Sequence, residues 1–308
     1  MRKGRAPKVS PIRILSAVLY LCAAFSHVQA QAPARPVTLA ILDFGGTETG
    51  RRAADKLART ISGEQELRLL DREEAQAAAR GAGYMGSLNM TLAEARDLGA
   101  SLGADFFITG DAQTLRRSPS TGAIYYEAYA SIFLVSSRTG RLIMWERPSH
   151  VAPKPDEALG MLLREIEGAN YRQRYAAAIR RALEEEMKMR ALAVGRSAPT
   201  IEETPEDATN PAAKGLRLPL PYRRLRPAYP ETAARAEAEA TVDVEVDITA
   251  SGEVSRVEVV RWAGFGLDEA TVNTVRQMHF RPALRDGEAI PMRVLLRYNF
   301  RKPPVEGR

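Results

Sequence analysis

The sequence predicts a two-domain chain. An α/β sandwich on a mixed sheet comes first, and an α+β unit follows, an antiparallel three-stranded sheet with helices on one face. Three observations carry this expectation. Strand and helix patterns alternate from Val37 to about Arg190, the composition turns Pro-rich and aperiodic between Gly195 and Leu220, and the cleanest pattern of the chain then appears at Thr241–Thr249, T-V-D-V-E-V-D-I-T. There Val242, Val244, Val246 and Ile248 alternate with Asp243, Glu245 and Asp247. A strand places the apolar set on one face and the carboxylates on the other, whereas a helix would scatter both around its circumference.

The 308 residues suffice for two domains, and 45% apolar content supports packed cores over wholesale disorder. The net charge of +6 is placed unevenly: Arg2, Lys3, Arg5, Lys8 and Arg13 precede Ile14, and no acid occurs before Asp43. Removing those five leaves +1 on the remainder. That argues against a nucleic-acid binder, which needs a concentrated basic face on its folded part. The basic start leads into the apolar run Ile14–Phe25 and then Val28-Gln29-Ala30, the pattern of an export signal cut before Gln31. The run is shorter than the roughly 20 residues that span a bilayer core. Residues 1–30 are read as a signal peptide, with a retained N-terminal anchor as the alternative. Cys22, the only cysteine, lies in this segment, behind Tyr20 and Leu21 where a lipoprotein signal wants small residues. Past residue 30 the chain therefore has no disulfide, no cysteine-based metal site and no thiol nucleophile.

Taken in order, Val37–Phe44 reads as a buried strand that Gly45-Gly46 breaks. Ala54, Leu57, Ala58 and Ile61 then recur at helical spacing within 51–61. A short strand is expected at 67–70, an Ala- and Glu-rich helix at 71–80, and a glycine loop at Gly81, Gly83 and Gly86. Thr91-Leu-Ala-Glu94 is a capping box that starts a helix with Leu92, Ala95, Leu98 and Leu102 turned inward. A strand follows at 105–109. Two longer strands, 123–136 and 141–147, flank Ser137-Arg-Thr-Gly140 as a hairpin. Helices are expected at 157–167 and 171–192.

This segment, 37–190, resembles the N-terminal domains of TolB-like, CsgG-like and LpoB-like bacterial envelope proteins. The pieces that carry the resemblance are Ile41-Leu42-Asp43-Phe44, Leu70-Asp71-Arg72, Leu102-Gly103-Ala104-Asp105 running to Thr109-Gly110, and Thr139-Gly140 followed by Trp145. It implies an envelope interaction module, not an enzyme.

Residues 191–220, with Pro199, Pro205, Pro211 and Pro219, read as a linker. The second domain is placed at 216–303. Pro227-Ala-Tyr-Pro230 enters a short helix at 231–236. Ala250-Ser251-Gly252 turns the alternating strand into a second at 254–261. Gly264-Phe-Gly-Leu-Asp268 starts a helix with Leu267, Ala270, Val275 and Met278 inward and with Asp268 and Glu269 complementing its dipole. Phe280-Arg-Pro-Ala283 and Asp286-Gly287 lead to the last strand, 290–301. In it Met292, Val294, Leu296, Tyr298 and Phe300 face one way and Arg293, Arg297 and Arg301 the other. A right-handed crossover gives the strand order second, first, third. The three carboxylates then lie beside the arginines on an exposed face, and the last strand is left at an edge with one row of backbone groups unpaired.

Arg226-Pro-Ala-Tyr-Pro230, Gly252, Gly264-Phe-Gly-Leu-Asp268, Phe280-Arg-Pro-Ala283, Asp286-Gly287 and Phe300 together resemble a TonB C-terminal domain. The resemblance implies a periplasmic protein, or an inner-membrane one with periplasmic domains if the anchor is retained. It implies binding of an outer-membrane TonB-dependent transporter peptide, or another envelope protein, by strand addition. The pairing residues would be Met292, Arg293, Val294, Leu295, Leu296, Arg297, Tyr298, Asn299 and Phe300, with Arg226, Pro227 and Tyr229 near the partner. It also implies energy transduction from a membrane motor. The chain departs from that pattern in its short apolar run, its short linker and its extra domain. Ser16 is followed four places on by Tyr20, where the family's motor-coupling helix carries a His. A structural scaffold that forms a homodimer through the same edge is the rival reading, and a third has the arginines guarding that edge from aggregation.

Other motifs give no chemistry. Asp43-Phe44-Gly45 spells a kinase triad without a phosphate loop or catalytic His-Arg-Asp. Gly45–Gly50 precedes a helix but lacks a Walker lysine. The helix at 171–192, with Tyr175, Ile179 and Leu183 in one stripe, fits packing on its own domain better than partner binding. His27, His150 and His279 have no ligand-spaced partners, so no catalytic residue, metal or cofactor is expected.

Overall fold

The first sheet grows outward from β1 (Val37–Phe44), whose residues are nearly all buried. The computed structural model describes residues 35–194, 201–204 and 214–302, so the leader read at 1–30 lies outside the described residues. After β1 come α1 (Glu48–Ile61), β2 (Leu67–Leu69), α2 (Arg72–Gly81), α3 (Leu92–Leu102), β3 (Phe106–Arg117), β4 (Tyr125–Ser136), β5 (Leu142–Glu146), β6 (Ser149–Ala152), α4 (Pro155–Glu167) and α5 (Ala169–Val194). The strand order is β2-β1-β3-β4-β5, with β6 against β4. Pairing is parallel on both sides of β1 and antiparallel from β3 onward, the mixed sheet that the alternation predicts.

Helix starts follow from capping chemistry. The Gly50 N–H donates to the Thr47 hydroxyl at 2.9 Å. Asp71 accepts from the N–H groups of Glu73 and Glu74. The Thr91–Glu94 box is formed in both directions. Two features were not legible. β3 runs on to Arg117 through polar residues, held by its register with β4 and by the Arg117–Glu127 ion pair at 2.7 Å. β6 adds a further strand where no alternation marks one.

The sheet is covered on both faces. Leu39 and Ile41 point to one core with Leu57, Ile61, Leu162 and Tyr175 of α1, α4 and α5. Ala40 and Leu42 point to the other with Ala79, Leu98 and Leu102 of α2 and α3. Strands buried on both faces read as continuous apolar runs, which is why Val37–Phe44 shows no alternation.

The second part comprises β7 (Glu202–Glu203), β8 (Leu216–Arg217), β9 (Leu220–Pro221), α6 (Glu231–Ala236), β10 (Ala240–Ile248), β11 (Val254–Arg261), α7 (Leu267–Val275), β12 (Phe280–Arg281), β13 (Ala283–Arg285), β14 (Glu288–Ile290) and β15 (Met292–Phe300). Its main sheet has the order β11-β10-β15-β7. The antiparallel trio β11-β10-β15 is the expected second-first-third arrangement, with β10 central. Val242, Val244, Val246 and Ile248 pack with Leu267 and Val275 of α7 and Ala233 of α6.

β7, from the stretch read as linker, joins β15 in parallel, so the edge is partly occupied. In α7 it is Thr271, not Ala270, that is fully buried, its hydroxyl donating to the Leu267 carbonyl at 2.8 Å. The carboxylate face of β10 is not exposed either: Asp243 and Asp247 are only 3% and 4% accessible. Arginines from both neighbouring strands lie across them. Arg297 grips Asp243 through Nε and Nη2 at 2.7 and 2.9 Å, and Arg261 of β11 reaches it at 3.3 Å. Arg293 grips Asp247 likewise at 2.6 and 3.0 Å. The long guanidinium stems shield the shorter acids, and the bidentate geometry offsets their desolvation.

The described residues from Pro36 onward form one compact unit, and the junction within it is apolar. Helices α2 and α3 leave Phe133 of β4 and Trp145 of β5 to be covered by other means. The loop after β11 covers them. Trp262 is 2% accessible, its ring stacks on Phe133 at 5.9 Å, and its Nε1–H donates to the Gly140 carbonyl at 2.9 Å. Phe265 meets Phe133 and Trp145, each at 5.5 Å between ring centroids. Gly264, Phe265 and Gly266 all have positive φ, and a Cβ on Gly264 would sit 2.6 Å from the Phe133 ring. The Gly-Phe-Gly motif thus bends the chain so that an aromatic enters the neighbouring core. Asn89 brackets the junction, its side-chain amide donating to the carbonyls of Thr241 and Trp262 at 2.8 and 2.6 Å and accepting from the Thr241 N–H at 3.0 Å.

Asp268 fastens the same loop, accepting from the N–H groups of Ala263 and Gly264 at 2.9 and 2.8 Å. Burial pushes its carboxyl up from 3.8 to about 7, against the two hydrogen bonds that favour the anion. The folded chain therefore holds this proton between about pH 4 and 7, where the unfolded chain has released it. Stability from this group is full below that window and is lost as the pH rises through it. Urea unfolding at several pH values is expected to show this decline in the native chain and a flatter profile in Asp268→Asn. Parallel profiles would refute it.

Candidate peptide-docking edge

β15 has two unlike sides. Toward β10 all nine residues, Met292 to Phe300, are in register, from Ile248↔Met292 to Ala240↔Phe300. On the other side, among the described residues, only Met292 and Arg293 are paired, with Glu202 and Glu203 of β7. From Val294 to Phe300 the outer row has no strand partner among the described residues. The pleat sorts the side chains: Met292 is fully buried, and Phe300 is buried in the α6/α7 core with Val294, Leu296 and Tyr298 packed against it. On the opposite face lie Arg293, Leu295, Arg297 and Asn299. Leu295 is 55% exposed, an aliphatic group between two arginines that are themselves bound to Asp247 and Asp243.

Of the residues ahead of the sheet, Tyr229 is brought to the strand. Its ring lies 6.4 Å from that of Phe300, and its hydroxyl donates to the Ala238 carbonyl at 2.8 Å. Burial raises its phenol above the ordinary value of 10.0. Pro227 is half-buried and Arg226 exposed, and neither makes a described polar contact with β15.

A second backbone edge, that of β11, faces the first sheet. An isolated bridge joins Arg261 to Thr91, and a cleft of about 400 Å³ separates Arg256–Val259 from Arg141–Trp145. Arg141 closes it by pairing with Glu258. That edge is shared with the junction, which leaves β15 as the accessible one.

The other motifs are structural. Arg72 pairs with Asp43 and ties the end of β1 to α2. His150 sits 2.6 Å from Glu165 and His279 3.1 Å from Glu253, and no group of three or more His, Cys, Asp or Glu that could hold a metal occurs among the described residues. Tyr175 and Ile179 of α5 are buried in the core of its own domain. No helix among the described residues is long and apolar enough to cross a membrane.

Two features had little sequence signal. Glu202–Thr204 is too short to show a period. Trp262 is one of two tryptophans and directly follows a strand, the only hint of its role.

The geometry of a paired central strand beside a partly open edge strand meets a known pattern here. Residues 226–301 match the model of the Gram-negative bacterial TonB protein C-terminal family. The TonB-like likeness read from Arg226–Pro230 through Phe300 holds over that range. Solved structures similar to this chain include the TonB C-terminal domain of Pseudomonas aeruginosa, 19% identical with a TM-score of 0.25, covering 36% of this chain and 99% of that one. The LpoB C-terminal domain of Salmonella enterica is 14% identical with a TM-score of 0.26, covering 39% and 88%. PelC of Paraburkholderia phytofirmans is 12% identical with a TM-score of 0.27, covering 44% and 89%. No curated protein matches the chain.

Proposed function

We propose that this chain is a non-enzymatic periplasmic adapter whose TonB-like sheet accepts an extended segment of an envelope partner along the outer edge of β15. The observation that carries the reading is the outer row from Val294 to Phe300, which has no strand partner among the described residues, on a strand fully paired along its other side. Such an edge supplies main-chain hydrogen bonds for affinity, and the alternating side chains of the added strand give selectivity. Leu295 offers the one exposed aliphatic contact on that strand. The partner class that the TonB match favours is the N-terminal peptide of an outer-membrane transporter, and Arg226, Pro227 and Tyr229 would flank it. Motor-driven transduction is not part of the proposal. The first domain contributes a rigid mount through Trp262 and a surface for other envelope proteins.

The test is a titration of the full chain with such transporter peptides, followed by amide NMR. The largest shifts are expected from Val294 to Phe300, and silence across those residues at saturating peptide would overturn the docking edge. The same edge also fits a second copy of the chain, because Leu295 and the open row are self-complementary in an antiparallel pair. Sedimentation velocity over a range of concentrations separates the two: the adapter stays monomeric, the scaffold dimerises.

A further inference from the structure

β7 is the feature that the docking reading does not absorb. It is two residues long, it comes from a stretch with no apolar period, and it lies parallel to β15 at Met292–Arg293. Its hold is specific. The Thr204 N–H and hydroxyl both donate to the Arg293 carbonyl, at 3.1 and 2.9 Å. Arg285 of β13 clasps the Glu202 carboxylate, its Nε–H donating at 3.1 Å. The Glu203 carboxylate lies 3.7 Å from Arg293.

We infer that Glu202–Thr204 is a resident ligand of the docking edge, held over its Met292 end, and that an incoming partner strand must displace it. The inference rests on the docking reading and adds the partner's chemistry: an extended segment parallel to β15, with a carboxylate placed to take Glu202's position against Arg285. Among the described residues the occupant of this edge is short, which favours a longer competitor. A segment that continues along Val294–Phe300 gains further main-chain hydrogen bonds that Glu202–Thr204 does not make. The occupant is tethered, so its effective concentration is high and free segments too short to reach the open row are held off. The chain thereby discriminates by strand length as well as by charge.

The probe is a fluorescent synthetic peptide with the sequence of residues 199–206, added in trans to the full chain and followed by anisotropy. Glu202→Ala combined with Thr204→Pro removes the carboxylate and both Thr204 donors. It is expected to bind the peptide at least about tenfold more tightly than the native chain, since the competent edge is no longer shared with the tether. Amide NMR should place the peptide at Met292–Arg293. Glu202→Arg, which sets a like charge against Arg285 and leaves the backbone unchanged, should act in the same direction. Equal affinity in native and variant chains would overturn self-occupancy, and so would failure of both to bind, because an edge that refuses this segment in trans is not held by it in cis. Failure of the docking reading looks different: transporter peptides would leave Val294–Phe300 silent even in the released variant, while the 199–206 peptide still discriminated between the chains.

Discussion

Trp262→Ala is expected to lower the free energy of unfolding by about 3–5 kcal/mol, the usual cost of deleting a large buried aromatic. The residue is 2% accessible, and its removal opens a cavity against Phe133 in the core of the other domain. It also leaves the Gly140 carbonyl, which accepts from Nε1 at 2.9 Å, without that donor. Urea unfolding followed by far-UV circular dichroism reads the loss. Trp262→Phe separates the contributions: it keeps ring packing and loses the hydrogen bond, so it should cost about 1–2 kcal/mol. A loss below about 1 kcal/mol in the alanine variant would mean that the junction does not hold in solution.

The second large effect is expected at Gly252. Its φ is +84°, and a Cβ there would lie 1.9 Å from the backbone oxygen of Phe280. That contact cannot be relieved by a side-chain rotation, because the Phe280 N–H is itself bonded to the Gly252 carbonyl at 2.9 Å. Gly252→Ala therefore combines left-handed strain of about 1–2 kcal/mol with a backbone clash of similar or larger size, for a total of about 2–4 kcal/mol. Gly287→Ala is the control. Its φ is +93° but nothing lies within 4 Å of the added carbon, so it should show the strain alone. The difference between the two unfolding midpoints measures the clash, and equal midpoints would refute it.

The parts of the fold legible from the sequence were those whose period reports burial. Val242 to Ile248 showed which face of β10 is inside, and handedness then made it central between β11 and β15. Thr91 and Glu94 announced α3 because a capping box is a local interaction. The arginines opposite Asp243 and Asp247 were readable as cross-strand partners. Their depth was not, because burial of an acid depends on how long stems fold over it. Trp262 and β7 escaped for the same reason in two forms. A periodic pattern says that Phe133 faces a core, but not that the residue filling that core stands 129 positions further on. A two-residue strand has no period at all, and what places Glu202 is Arg285, a partner distant in sequence.

The nine-residue register between β15 and β10 has a mechanical consequence. A tug on a strand laid along β15 runs parallel to the ladder, so it loads those backbone bonds together in shear and cannot peel them apart one by one. β10 passes the load to β11, and β11 is followed directly by Trp262, lodged in the first domain. Tension applied along β15 would thus arrive at the floor of another sheet. Under such a load the first domain would serve as an anchor block, with the tryptophan as the pin.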